Sequence, residues 1–462
     1  MSRRLFVLLV AVAVGSALTA REGSAVAQTR RPNIVVIVAD DLGYGDIGVH
    51  GSKDIPTPAI DSIAKNGVRF TDAYVSAPYC SPTRAGFLTG RYQQRFGHEF
   101  NIGPSGYDDF GLPLSETTLV SRLKSAGYRT GAFGKWHQGT ADRFHPMERG
   151  FDEFFGFLRG GHNYLAAGSA ESPVLDGRKP VEKVAYLTDD FADRAVSFIE
   201  RHRVQPFFLY LAFNAVHLPM QATETYLKRF AHLPEGSRRT YAAMLSAMDD
   251  GIGRTLKALR DHKLEENTLV VFFSDNGGPT TVGGPNGSTN TPLRGSKRQT
   301  FEGGIRVPLM MQWPGRLPRG RVDARPVIQL DVLPTALGAA NIPIDPKWQL
   351  DGVNLLPFLL EKDRLTTPVH DTLYWRLGGM MAIRRGDWKL LQYDDKAFLA
   401  DPSVLSNLSA VELYNLKEDI GETKNLAALH PDKVKELTDA WQRWNKTLAK
   451  PGWPPPRGAG GD

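Results

Sequence analysis

The stretch Ile34-Val35-Val36-Ile37-Val38-Ala39-Asp40-Asp41 reads as a strand buried on both faces that stops abruptly in two carboxylates. Its branched apolar residues leave no polar face for water, which suits the middle of a parallel sheet covered by helices on either side. Three further runs repeat the design. Residues 130–133 lead into Lys135-Trp136-His137, residues 207–213 into Asn214 and His217, and residues 269–273 into Asp275-Asn276. Helical periodicity lies between them: Leu119 and Leu123 in 117–126, Phe191, Ala195, Phe198 and Ile199 in 191–202, and Met244, Leu245, Met248, Ile252 and Leu256 in 241–259. The alternation predicts an α/β fold, a large, mostly parallel or mixed sheet sandwiched by helices.

Ligands of open parallel sheets bind beyond the carboxyl ends of the strands, where all four polar clusters fall. Asp40, Asp41, Asp275 and Asn276 are hard oxygen donors of the kind calcium or magnesium takes. Without a cation, three converging carboxylates would repel one another and take up protons. Helix capping is the alternative for Asp40 or Asp275 taken singly, and a closed, thiol-rich zinc site cannot be built from one cysteine.

From about Thr366 the pattern changes. Alternating segments at 373–376, 381–383, 388–392 and 412–416, then a helical stretch at 431–448, predict a small antiparallel sheet with one covering helix. The chain thus divides into a signal at 1–27, a large domain over 28–365, a smaller α+β subdomain over 366–450, and a Pro/Gly-rich tail at 451–462 read as disordered. The Gly/Thr/Asn-rich loop 277–290 is long for a connection and reads as a substrate-facing lid.

The N-terminus points to export. Arg3 and Arg4 precede an apolar run at 5–14, and Ala25-Val26-Ala27 offers a cleavage site before Gln28. Ser2-Arg3-Arg4-Leu5-Phe6 fits either a twin-arginine or an ordinary signal. No later segment is long and apolar enough for a membrane span, and no cysteine sits where a lipid anchor would need one. A periplasmic or secreted protein without a membrane anchor is expected. With 462 residues, 41% of them hydrophobic, the chain can bury a sizeable core. Its formal net charge of +6 is scattered, and no Lys/Arg block marks a nucleic-acid surface.

Cys80 is the only cysteine, so it has no intrachain disulfide partner. In Cys80-Ser81-Pro82-Thr83-Arg84 the proline suits the first turn of a helix. The thiol would then lie at the positive helix end beside Arg84, with a lowered pKa. Two thiol mechanisms do not fit: cysteine-dependent phosphatases place five residues between Cys and Arg, where three stand here, and the papain-like and caspase-like protease signatures are missing.

These residues match a family. Cys80-Ser81-Pro82-Thr83-Arg84 with Leu88-Thr89-Gly90 resembles the signature of the type I sulfatases of the alkaline phosphatase superfamily, whose cysteine becomes formylglycine. Asp40-Asp41-Leu42-Gly43-Tyr44-Gly45, Gly134-Lys135-Trp136-His137, Asn214-Ala215-Val216-His217, Ser274-Asp275-Asn276-Gly277-Gly278, Leu293-Arg294-Gly295-Ser296-Lys297 and Glu302-Gly303-Gly304-Ile305-Arg306-Val307-Pro308 resemble further sulfatase blocks in family order. The resemblance runs from about Pro32 to beyond Leu426.

It implies an alkaline-phosphatase-like fold and a sulfuric ester hydrolase. It also implies a formylglycine hydrate at position 80, made by a formylglycine-generating enzyme, and Ca2+, or alternatively Mg2+, on Asp40, Asp41, residue 80, Asp275 and Asn276. By the same resemblance Lys135 and Lys297 grip the sulfate, and His217 serves the leaving oxygen. His137 takes a proton from the second hydroxyl, and Arg84 holds the modified side chain. The substrate would be a sulfated small molecule or, better, a glycan. Two rivals stay open: a phosphate or phosphonate ester hydrolase of the same superfamily, and a non-catalytic sulfated-glycan binder in which Cys80 is never modified.

Other residues are read as structural. His98, His50, His145 and His162 are expected in surface loops, and Tyr374 and Trp375 either stack on a sugar or pack a core. Tyr79 and Gln138 depart from the family pattern outside the core catalytic positions, which leaves the reaction intact and puts the substrate in doubt.

Overall fold

The computed structural model describes residues 31–103, 106–169, 172–281, 285–393 and 411–455. The expected signal at 1–27 and most of the expected tail lie outside them.

The four strands expected from the sequence are Thr268–Ser274, Asn33–Ala39, Phe207–Ala212 and Arg129–Lys135. They are adjacent in that order and all parallel, with Ala39 opposite Ser274, Val38 opposite Ala212, and Ala212 opposite Gly134. Their carboxyl ends therefore form one ledge. Six more strands extend the sheet. Leu309–Gln312, Gly67–Phe70 and Arg321–Asp323 lie beyond Thr268–Ser274, and Glu153–Phe157, Leu175–Asp176 and Lys179–Pro180 lie beyond Arg129–Lys135. Leu309–Gln312 runs antiparallel to both neighbours, so the sheet is mixed.

Strand alternation sorts the central run between two cores. Val35, Ile37 and Ala39 pack with helices Pro58–Lys65, Leu187–His202 and Ser237–Asp261. Ile34, Val36 and Val38 pack on the other face with Cys80–Thr89, Leu119–Ser125 and Val332–Ala339. All six strand residues are fully buried, at about 1.5–3 kcal/mol of favourable transfer for a side chain of valine or isoleucine size. Thr118 and Ser121 make a reciprocal capping box at the start of Leu119–Ser125, which places that helix within the expected span.

A second, antiparallel sheet runs Thr372–Leu377, Met380–Arg385, Trp388–Gln392, Val411–Asn415, each strand paired with the next. Helix Pro431–Asn445 covers it with Leu437, Ala440, Trp441 and Trp444. Trp375 is fully buried and donates its indole N–H to Val75 O at 2.7 Å, while Tyr374 stacks on Trp444 at 5.0 Å. Core packing is thus the role of both aromatics.

Candidate functional site

Cys80 is the first residue of helix Cys80–Thr89, whose start abuts the ledge. Its Sγ lies 3.5 Å from Asp40 Oδ1, and Asp40, Asp41, Cys80 and Asp275 present ligand atoms all within 4.8 Å of one another. Every one of these side chains is buried. The expected low-pKa thiol is not what forms: burial pushes the Cys80 thiol well above its usual range, against the pull of Lys135 and Lys297, and Asp275 and Asp40 add to the rise. Total desolvation outweighs the helix end.

Four cations and donors surround the carboxylates. Lys135 Nζ is 2.6 Å from Asp40 Oδ2, and Lys297 Nζ is 3.1 Å from Asp41. One helical turn after Cys80, Arg84 meets Asp275 Oδ2 at 2.8 Å through Nη2, with Nη1 on Lys135 O at 3.2 Å. His217 Nε2 stands 3.7 Å from Asp41 Oδ2. Its Nδ1 is 2.7 Å from Leu218 O, so Nδ1 carries the proton there and Nε2 is turned to the cluster.

Local backbone geometry puts these groups in place. Gly134 has φ +120°, and a Cβ there would stand 1.8 Å from Ala212 O, so the chain can reach Lys135 beside the neighbouring strand only through glycine. Asp41 and His137 hold φ of +61° and +54° without being glycine, at a cost of about 1–2 kcal/mol each. Such outliers gather where function over-determines the backbone.

The cluster suits a divalent cation. Burial and Asp40 raise the Asp275 pKa despite Arg84, which is the strain of carboxylates crowded out of water. Asn276 gives its Nδ2 to Asp41 Oδ1 at 2.7 Å, while its buried Oδ1 accepts no hydrogen bond. A buried oxygen without a donor, beside three carboxylates, is a donor set matched to a hard metal ion.

His137 is buried, and its ring borders a cavity of about 190 Å³ lined also by Ile102, Gly103, Arg159 and Gly160. Its main-chain N–H is bonded to Leu158 O at 3.1 Å. The structure thus places every sequence-predicted site residue on or beside the ledge. The loop 277–290 is tied down by Asn286, which donates to Val216 O at 2.9 Å, and by Asn290, which exchanges bonds with Gly278; 282–284 lie outside the described residues.

Several readings from sequence need correction. His98 is fully buried, with Nε2 2.6 Å from Ser81 Oγ. His145 and His162 are 3% and 7% exposed, and His50 is half-buried against Tyr44, so none is a plain surface residue. Gln138 packs beside the site, donating to His137 O at 2.7 Å and Ser81 O at 2.9 Å. The ring of Tyr79 lies 5.7 Å from Lys297 Nζ and 5.1 Å from the Arg298 guanidinium, a cationic face of the site. A polar run after the Cys80 helix, Gly97-His98-Glu99-Phe100-Asn101, was the one signal available for His98.

Known proteins carry the same framework. The family model described as Sulfatase matches residues 32–342, and that described as N-sulphoglucosamine sulphohydrolase, C-terminal, matches residues 295–447. Arylsulfatase J of Mus musculus is 33% identical over 485 residues, covering 94% of this chain and 79% of that protein. N-acetylgalactosamine-6-sulfatase of Homo sapiens is 34% identical over 378 residues, covering 78% and 71%. The crystal structure of Ps i-CgsB in complex with k-i-k-neocarrahexaose superposes with a TM-score of 0.83 at 35% identity, covering 92% of this chain and 95% of that one. With a family match over the whole α/β sandwich and relatives alike along most of their length, the chain belongs to the sulfatase family and is a sulfuric ester hydrolase.

Proposed function

We propose that the chain hydrolyses sulfate esters of carbohydrates, with formylglycine formed from Cys80 and a divalent cation, calcium before magnesium, held by Asp40, Asp41, Asp275 and Asn276. The observation that carries this reading is the buried convergence of Cys80 with three carboxylates inside 4.8 Å, ringed by Lys135, Lys297 and Arg84. When present, the hydrated formylglycine supplies a hydroxyl nucleophile and the cation supplies Lewis acidity.

The chain's own side chains supply the rest. Asp275, fixed by Arg84, accepts the proton of the attacking hydroxyl. Lys135 and Lys297 balance the charge that grows on the sulfate oxygens in a dry site, where each such donor is worth far more than in water. His217 donates Nδ1–H to Leu218 O, and although burial opposes its charge, Asp40 and Asp41 raise its pKa, which favours a second proton on Nε2 that would pass to the leaving oxygen. With formylglycine in place, His137 would take the proton of its second hydroxyl. A single general acid contributes about 3–5 kcal/mol, whereas sulfate esters need barrier reductions of roughly 20, so the charged groups must share most of the work.

Carbohydrate is favoured because one neighbour is in complex with k-i-k-neocarrahexaose and one relative is named N-acetylgalactosamine-6-sulfatase. The apolar run behind Arg3 and Arg4 supports export to the periplasm or medium, and no helix among the described residues is long and apolar enough to cross a membrane. Sulfate and phosphate release from matched aryl esters, then from a panel of defined sulfated saccharides, tests the proposal. Sulfate release is expected to dominate. Phosphate release in large excess would overturn it in favour of a phosphoesterase.

A further inference from the structure

His98 is fully buried and has no role in the chemistry above. Its Nε2 lies 2.6 Å from Ser81 Oγ, and Ser81 Oγ lies 2.7 Å from the main-chain carbonyl of His137. The hydroxyl has one proton and the carbonyl can only accept, so Ser81 donates to His137 O and His98 donates Nε2–H to Ser81. Nε2 therefore carries a proton. Burial drives the imidazole pKa down to about 3, and its buried Nδ1 has no partner.

The same carbonyl takes a second bond from Gln138 Nε2 at 2.7 Å. Behind His98 the chain is closed by its own C-terminal segment: Trp453 meets the imidazole edge-on at 4.7 Å and donates Nε1–H to Asn101 O at 3.1 Å. Asn101 Oδ1 in turn accepts the Ser81 N–H at 3.0 Å. What this assembly holds is a peptide in the left-handed region, φ +54° at His137, with the His137 ring so close to Gly160 that an added Cβ there would stand 2.7 Å from Cε1.

We propose that His98 is a positioning residue: acting through Ser81 Oγ, it fixes the His137 carbonyl and so aims the His137 imidazole for its proton transfer. His98 touches no reacting atom. The kinetic arm of the test rests on the sulfatase reading above, whereas the structural arm does not.

The variants are His98→Ala, His98→Gln, Ser81→Ala and the double His98→Ala/Ser81→Ala, each in the full chain and with position 80 verified by mass. With an aryl sulfate, His98→Ala is expected to lose about 10²-fold in kcat, as for a catalytic group displaced by about 1 Å, with KM falling alongside it because His137 serves the second step. His98→Gln, which keeps an N–H donor, recovers most of the loss. The double variant is no slower than the slower single, because both remove one coupled support. Losses that multiply, or an unchanged kcat in folded His98→Ala, overturn the proposal. If His98→Ala does not fold, Ser81→Ala and His98→Gln decide it by the same comparison. Crystal structures of the variants give the activity-independent readout. His137 is expected to leave its left-handed φ or to take several ring orientations in Ser81→Ala, and an unmoved His137 contradicts the proposal. Absence of sulfate release by the unsubstituted enzyme would sink the sulfatase reading and leave this structural result standing on its own.

Discussion

Lys135 Nζ and Asp40 Oδ2 lie 2.6 Å apart with neither side chain exposed to solvent. Burial alone would lower the lysine pKa, and Asp40 outweighs it, so Lys135 stays charged. Lys135→Met removes one buried charge and strands the other. The expected losses are about 10²–10³-fold in kcat/KM and about 3–5 kcal/mol of stability in cation-free protein. Saturating Ca2+ is expected to return part of the stability and none of the rate. Steady-state kinetics and denaturant titrations with and without Ca2+ check both.

Cation binding is expected to stabilise the fold, since it relieves the crowding of Asp40, Asp41 and Asp275. At a free Ca2+ concentration about 100 times Kd, unfolding free energy rises by about 2.7 kcal/mol. Calorimetry should show Tm rising with the logarithm of free Ca2+ above Kd, a rise that chelator reverses. Asp41→Asn should shrink that rise, because it removes a charge from the cluster without changing its shape.

Gly160→Ala tests how tightly the His137 ring is walled. A Cβ would stand 2.7 Å from Cε1 and 2.8 Å from Nε2 of His137. The ring must turn, and kcat is expected to fall by about 10²-fold while Tm moves little. Equal losses of activity and folded fraction would contradict this.

One pH effect lies away from the site. His370 Nε2 is 2.9 Å from Asp331 Oδ1, and although burial opposes its charge, Asp331 raises its pKa above the usual value. The folded state thus binds more protons than the unfolded one between about 6.5 and the raised pKa. The stabilisation is fully present below about pH 6.5 and is lost as pH rises through the folded pKa. His370→Gln should flatten that slope in urea titrations across pH 6–9.

The central strands were legible because each is apolar on both faces and ends in polar residues, as at Val38 to Asp41. The strands beyond them were not: Gly67–Phe70 carries Arg69, and Leu309–Gln312 is too short for a period to show. The candidate site was legible because its residues cap neighbouring strands or follow in motifs. His98 was not, since its burial is completed by Trp453, which bonds Asn101 from 352 positions away. The thiol expectation failed for the same reason. A helix start is visible in Cys80-Ser81-Pro82, whereas the complete burial that dominates is made by the tertiary fold, and no local pattern shows it.

The most direct measurement is the mass of the proteolytic peptide containing position 80, taken from enzyme whose sulfate release per molecule is known. The account predicts an aldehyde there, reactive with hydrazide probes, in proportion to activity across preparations. Full sulfatase activity in protein with an intact Cys80 thiol would contradict it.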